Sequence, residues 1–306
     1  MRVGDLGITG VRERLAGGGL ALDFGCVKAR VRSDVPGLGD AMQRVYAEFP
    51  VSDADGFFDV TASVVKAHGW RRVVRPQIEF FVDGALPFEP FPADTHLPLL
   101  EWGINWCIAQ RSNARLVLHA GVVERDGSAI VLPALPGSGK STLVAGLCAR
   151  GYRLLSDEFG VIRLADSLLL PLLKPVALKD ASIDVIRRFA PESVLGPVFP
   201  KTRKGDVAHL APPAGSVARR HEPANPALVL FPRFEAGAGL ALEPLPKARA
   251  FAKISANSFN YGLLGRGAFV ALGRLVERCG VYRLSYGDLD AAIAAIDELL
   301  DDHARH

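Results

Sequence analysis

The run Ala129-Ile130-Val131-Leu132-Pro133-Ala134 is apolar throughout. After Leu135 and Pro136 comes Gly137-Ser138-Gly139-Lys140-Ser141-Thr142, and the stretch from Ser141 to Arg150 then reads as a helix ended by Gly151. A strand without polar alternation is expected to be buried on both faces, in the middle of an α/β sheet. A strand that passes through a Gly-rich turn into a helix leaves few architectures open. The glycines let the backbone curl so that successive N–H groups point inward around an anion. The start of the helix adds the positive end of its dipole. A lysine there reaches the β- and γ-phosphates of a nucleotide, and the hydroxyl after it is placed for a divalent cation. Pro136, Gly137, Ser138, Gly139, Lys140, Ser141 and Thr142 are therefore expected to bind the phosphates of ATP, with Ser141 on Mg²⁺. The full P-loop pattern opens with Gly where this chain has Ala134; Ala fits if φ there is negative.

The rest of the composition narrows the partners. The 306 residues allow one large domain or two modest ones, and 49% apolar with 23% charged residues suits a soluble chain with a real core. A formal charge of +3, from 36 basic and 33 acidic residues, is too small an excess to argue for nucleic acid. Cys26, Cys107, Cys148 and Cys279 are far apart, with no C-x-x-C pair, and read as free thiols in a reducing compartment. No apolar stretch reaches the ~18 residues of a membrane span. Met1 to Leu20 holds no continuous apolar segment of the signal-peptide kind. The expectation is a cytoplasmic protein, bacterial in composition, with no membrane partner.

Along the chain, residues 1–50 read as short strands and then a short helix around Ala41 to Phe49. Residues 57–64 and 71–82 alternate β-branched and aromatic side chains before an Asp83-Gly84 turn, which suggests a small antiparallel sheet. Four prolines between 87 and 98 mark a connector. Leu99 to Arg111 is expected to be a helix with Leu100, Ile104 and Cys107 on its apolar face and Trp102 and Trp106 packed beside it. Later strands are expected at Leu116 to Val123, Tyr152 to Ser156, Val161 to Leu164, Ala227 to Phe231 and Val281 to Tyr286. Residues 191–226 read as a long Pro/Gly-rich loop region, Leu263 to Cys279 as a helix, and Asp288 as the cap of a last helix. Asn257, Ser258 and Asn260 read as helix-capping residues. The division is an α+β region over 1–95, of no assigned role, and a P-loop domain over 96–306.

The strand from Tyr152 to Ser156 ends in Asp157-Glu158. Two carboxylates at a strand end beside a P-loop can divide two tasks, one holding Mg²⁺ and the other accepting a proton from an attacking hydroxyl. The set Leu118-His119-Ala120, an Asp-Gly turn, Gly-Ser-Gly-Lys-Ser-Thr, a helix, and Arg150-Gly151-Tyr152 through Asp157-Glu158 resembles the C-terminal domain of HPr serine kinase/phosphorylase. It is most similar to the HPr-kinase-related kinase A group, which also shows the Leu100-Glu101-Trp102-Gly103 helix and the Lys201-Thr202-Arg203-Lys204-Gly205 loop. The resemblance covers roughly residues 95–300, with gaps. It implies the mixed sheet with helices shared with phosphoenolpyruvate carboxykinase. It also implies Asp157 as general base, Lys140 and His119 at the phosphates, and Glu158 beside the metal. Glu158 stands where the family has a second Asp. Pro175 to Ser182 replaces a Glu-containing signature, so HPr itself is not implied as substrate.

Lys201, Arg203 and Lys204 form a basic loop able to close over the γ-phosphate. The expected function is an ATP-dependent kinase of the Ser/Thr type, whose acceptor hydroxyl belongs to a protein, a peptide or a small molecule. A homo-oligomer is in keeping with the resemblance. Two alternatives stand beside it: a nucleotide-sensing module without transfer, and a kinase that modifies a ribosomally made peptide.

Overall fold

A computed structural model describes residues 1–51, 56–133 and 137–305. Its first helix, α1 (Gly7–Ala16), has no counterpart in the strands expected before residue 40. Gly7 and Gly10 weaken the local helical signal, and packing of the buried Val11 and Leu15 overrides it. β1 (Leu20–Asp23) and β2 (Lys28–Ser33) pair antiparallel. α2 (Pro36–Val45) starts and ends earlier than expected because Pro36 pre-sets φ in the first turn. With α2 as crossover, β3 (Val60–Lys66) lies parallel to β2, so the sheet expected to be antiparallel is mixed. β4 (Gln77–Val82) and the short β5 (Phe91–Pro92) complete it.

α3 (His96–Arg111) begins before the expected Leu99. Pro98 falls in its first turn, where a missing N–H removes no helical bond. Its buried face includes Leu100, Ile104 and Cys107 and covers the N-terminal sheet. The approach is close: a Cβ on Gly103 would lie 2.3 Å from the Phe80 ring. The division drawn at residue 95 thus falls just before a helix that closes the first sheet.

The chain continues as β6 (Arg115–Arg125), β7 (Ser128–Pro133), α4 (Lys140–Ala149), β8 (Arg153–Ser156), β9 (Phe159–Arg163) and β10 (Leu169–Leu170). β11 (Val176–Lys179), α5 (Ala181–Phe189), β12 (Phe199–Thr202), β13 (Gly205–Leu210) and α6 (Ala214–Ala218) follow. The remainder is β14 (Asn225–Phe234), β15 (Ala241–Pro244), α7 (Lys247–Ala256), α8 (Tyr261–Leu264), α9 (Arg266–Arg278), β16 (Gly280–Tyr286) and α10 (Leu289–Arg305). The fold is mixed α/β. The central sheet runs β10-β9-β6-β7-β14-β16-β15, with β8 also on β6. β7, β14 and β16 are mutually parallel, and the other pairings are antiparallel.

The apolar run at 129–133 is buried on both faces. Ala129 and Val131 meet α7 and α9 in one core, and Ile130 and Leu132 meet α4 and α10 in the other. The second of these cores is continuous with that of the N-terminal sheet. Residues 191–226, expected to be loop, contain the β12–β13 hairpin, which joins β11 in a third sheet. Pro200 and the charged tip hid this edge strand. The single helix expected over 263–279 is broken at Gly265, where φ is +52°. Asp288 caps α10 by accepting from the Ala291 N–H at 2.8 Å. Asn257 and Asn260 stand at the C-cap of α7 and the N-cap of α8, but their side chains bind the backbone of β6: Asn257 donates to the His119 carbonyl at 2.9 Å, and Asn260 accepts from the Val117 N–H at 3.0 Å. All four cysteines are free. No helix among the described residues is long and apolar enough to cross a membrane.

A buried polar cluster fastens α3 to both halves. Tyr46, at the end of α2, donates to Glu101 on α3. Glu101 pairs with Lys174 at 2.9 Å, and Lys174 also donates to Asn105 at 2.5 Å. Breaking a buried pair leaves an uncompensated charge, so Glu101→Ala is expected to lower stability by about 3–5 kcal/mol in urea denaturation. A loss below ~1 kcal/mol, the worth of a surface pair, would show that the cluster does not hold α3.

Candidate functional site

β7 stops at Pro133, and Ala134, Leu135 and Pro136 lie outside the described residues; so, therefore, does the contact expected of Pro136. From Gly137 the chain turns into α4. Gly139 sits at φ +87°, and a Cβ on it would meet Phe234 at 2.7 Å and the Tyr286 hydroxyl at 2.9 Å. Only glycine satisfies both limits. The turn is held from the parallel strands beside it: the Phe234 N–H donates to the Ser138 carbonyl at 3.0 Å, and the Tyr286 hydroxyl donates to the Gly139 carbonyl at 3.4 Å. The Ser138 hydroxyl is buried with no hydrogen-bond partner among the described residues.

Lys140 and Ser141, at the start of α4, converge on one carboxylate. Lys140 Nζ donates to Asp157 Oδ1 at 2.8 Å and also to the Asp157 carbonyl. Ser141 Oγ donates to Asp157 Oδ2 at 2.9 Å. Asp157 occupies a break in a long ladder: β8 and β9 both pair antiparallel with β6, and Asp157-Glu158 separates them. The Glu158 carbonyl still accepts from the Ala120 N–H at 3.2 Å. Its carboxylate lies 3.4 Å from His119 Nε2. Burial pushes the Glu158 carboxyl up. The contact with His119 and the charges of Lys140 and Lys179 outweigh it, and hold the group well below the usual carboxylate range.

One cavity lies beside the glycine turn and another beside Glu158. One, of about 580 Å³, reaches from Gly139 and Thr142 to Phe189, Phe234 and Leu289. The other, of about 240 Å³, is reached by Glu158 and bounded by β5, α3 and the β12–β13 hairpin. Gly137, Ser138, Gly139, Lys140, Ser141, Thr142, Asp157, Glu158 and His119 thus form one neighbourhood. Lys201, Arg203 and Lys204 line the second cavity and not the one beside the glycine turn. Arg203 stands 4.3 Å over the Phe91 ring, and Lys204 Nζ 6.0 Å over Trp102. Lys179 lines both cavities. Sequence reasoning missed it, since residues 175–182 carry no motif and only the third sheet brings them here.

The chain matches no protein-family model and none of the curated proteins.

His209 on β13 borders the second cavity and is buried, its Nδ1 without a partner among the described residues. Burial lowers its pKa to about 4; Glu101 raises it, Lys174 lowers it, and Glu158 and Lys179 add smaller opposing effects. The unfolded chain takes up this proton near pH 6.5, and the folded one refuses it until about 4. Stability is then unaffected by this group above pH 6.5 and falls as the pH drops toward 4, by up to about 3 kcal/mol. Urea denaturation at pH 7 and pH 5 is expected to show a smaller acid loss for His209→Gln than for wild type. Equal losses would remove His209 as the cause.

Proposed function

We propose that this chain is an ATP-dependent phosphotransferase of the HPr-kinase-like class, transferring the γ-phosphoryl group to a hydroxyl. One observation carries the reading. Lys140 and Ser141 converge on Asp157 beneath a left-handed glycine turn, and the adjacent Glu158 faces a separate cavity. The mixed sheet with the turn between β7 and α4 supports the phosphoenolpyruvate carboxykinase-like fold that the motifs suggest. On this reading the glycine turn and Lys140 bind the phosphates, and the nucleoside extends past Thr142 into the larger cavity.

The residues fit Mg²⁺. Ser141 Oγ and Asp157 Oδ2 are hard oxygens 2.9 Å apart. No cluster of three or more His, Cys, Asp or Glu assembles among the described residues. The remaining ligands would be phosphate and water, as Mg²⁺ prefers. Bound there, the ion would neutralise charge on the phosphate oxygens. This favours exchanging the roles expected of the two acids: Asp157 serves the metal and Lys140, and Glu158 takes the proton. The acceptor oxygen bonds to the γ-phosphorus, the bond to the β,γ-bridging oxygen breaks, and ADP leaves with that electron pair. The acceptor's proton passes to Glu158, which His119 positions. Lys140 and Lys179 meet the charge that develops on the phosphoryl oxygens.

Transfer from γ-labelled ATP into a lysate, run beside fluorescent-nucleotide binding, tests this. Lys140→Ala and Asp157→Asn are expected to weaken Mg·ATP binding. Glu158→Gln is expected to keep it and to lose transfer by about 10²-fold or more. Normal transfer by Glu158→Gln, with Asp157→Asn binding but inactive, would return the base to Asp157. Tight binding with no transfer by wild type would favour the nucleotide-sensing module.

A further inference from the structure

The second cavity has two unlike walls. Its apolar side is built by Phe91, Leu99 and Trp102; the Phe91 and Trp102 rings stand 5.5 Å apart. Its other side carries Lys179, Lys201, Arg203 and Lys204, none of which is ion-paired to a carboxylate of the described residues. The two acids that reach the cavity are already engaged, Glu101 with Lys174 at 2.9 Å and Glu158 with His119 at 3.4 Å. The cavity therefore has an uncompensated positive charge.

The cations are held in place, not left to wander. Arg203 and Lys204 form the tip of a hairpin closed by Thr202, whose hydroxyl donates to the Gly205 carbonyl at 2.7 Å and accepts from the Lys204 N–H at 3.1 Å. The Lys201 N–H donates to Asp206 at 2.9 Å. The aromatic faces under Arg203 and Lys204 steady the heads and leave N–H groups free at their edges. Desolvation against this wall, and then the charge of Lys179, lower the Lys204 ammonium from its ordinary value. An anion bound here would relieve that crowding.

From this arrangement we infer that the cavity is the acceptor site and takes a small anionic alcohol with a flat apolar body. The hydroxyl would lie at Glu158, the body against Phe91 and Trp102, and a carboxylate or phosphate at Arg203 and Lys204. The inference rests on the phosphotransfer reading for the word acceptor. The volume of about 240 Å³ lies just below the ~300–1,000 Å³ usual for drug-sized ligands, which suits a metabolite.

The test uses three probes on the full chain by calorimetry: 4-(hydroxymethyl)benzoate, 4-(hydroxymethyl)phenyl phosphate and the uncharged 4-(hydroxymethyl)benzamide. At least one anion is expected to bind about tenfold or more tighter than the amide, the ~1.4 kcal/mol of one charge-assisted hydrogen bond. Which anion binds tighter tells carboxylate from phosphate. The preference is expected to vanish in Arg203→Met/Lys204→Met. Equal affinity for acid and amide, a preference that survives in the double variant, or no saturable binding at millimolar concentrations would overturn the inference. So would label entering protein instead of small molecules in the transfer assay. Mg·ATP binding, measured in parallel, reads the glycine turn separately. Anion preference without ATP binding would support the ligand site and sink the kinase reading alone; ATP binding without anion preference would do the reverse.

Discussion

The ion pair between Lys140 and Asp157 organises the site. The two side chains are only 9% and 3% exposed, and taking such charges out of water costs several kcal/mol per ion. The cost is offset because each oxygen of Asp157 accepts a hydrogen bond, one from Lys140 and one from Ser141, and Lys140 also reaches the Asp157 carbonyl. These contacts pin the first turn of α4 to the middle of the sheet, and so aim the glycine turn. They also mean that Lys140 already has a partner. On the phosphotransfer reading, a nucleotide arriving alone would have to compete with Asp157 for it. A nucleotide arriving with a divalent cation exchanges one pair for two, phosphate on Lys140 and metal on Asp157 and Ser141. On that reading nucleotide and metal would bind together.

The break between β8 and β9 gives that pair its neighbour. Asp157 turns toward α4 and Glu158 toward His119 and the smaller cavity. Lys179 from the third sheet borders both this cavity and the one beside the glycine turn. Two adjacent carboxylates can carry different work only if their surroundings differ. Here one has a lysine and a hydroxyl as partners, and the other an imidazole.

The parts of this arrangement that were legible in the sequence obey local rules. The run at 129–133 announced burial on both faces, and Gly137 to Thr142 announced the turn and helix that follow it. The separate partners of Asp157 and Glu158 were not legible, because adjacency does not say which way each carboxylate points. Helix α1 was hidden by its glycines, and the β12–β13 hairpin by Pro200 and a charged tip. The smaller cavity was not legible as one site, although Glu158 and the basic loop that line it stood out in the sequence. Its walls come from Phe91, Trp102, Lys179 and Arg203, far apart in the chain and joined only when three sheets assemble.

The same assembly gives the N-terminal region a role that its sequence does not suggest. α3 covers the N-terminal sheet with its apolar face and offers Trp102 and Asn105 to the cavity from another side. Its position is fixed by buried charge: Glu101 is tied to Tyr46 on one hand and to Lys174 on the other. A shift of the first sheet must move Glu101 against Lys174 or leave one of them unpaired, and either is costly in a dry interior. Phe91, Leu99 and Trp102 of the apolar wall therefore come from residues before 112, and the phosphate contacts of the phosphotransfer reading would come from residues after 136. On that reading, a chain built this way would change what it accepts by altering Phe91, Leu99 or Trp102 while leaving the glycine turn and Asp157 untouched. That separation is the physical reason to look for acceptor specificity in the N-terminal half.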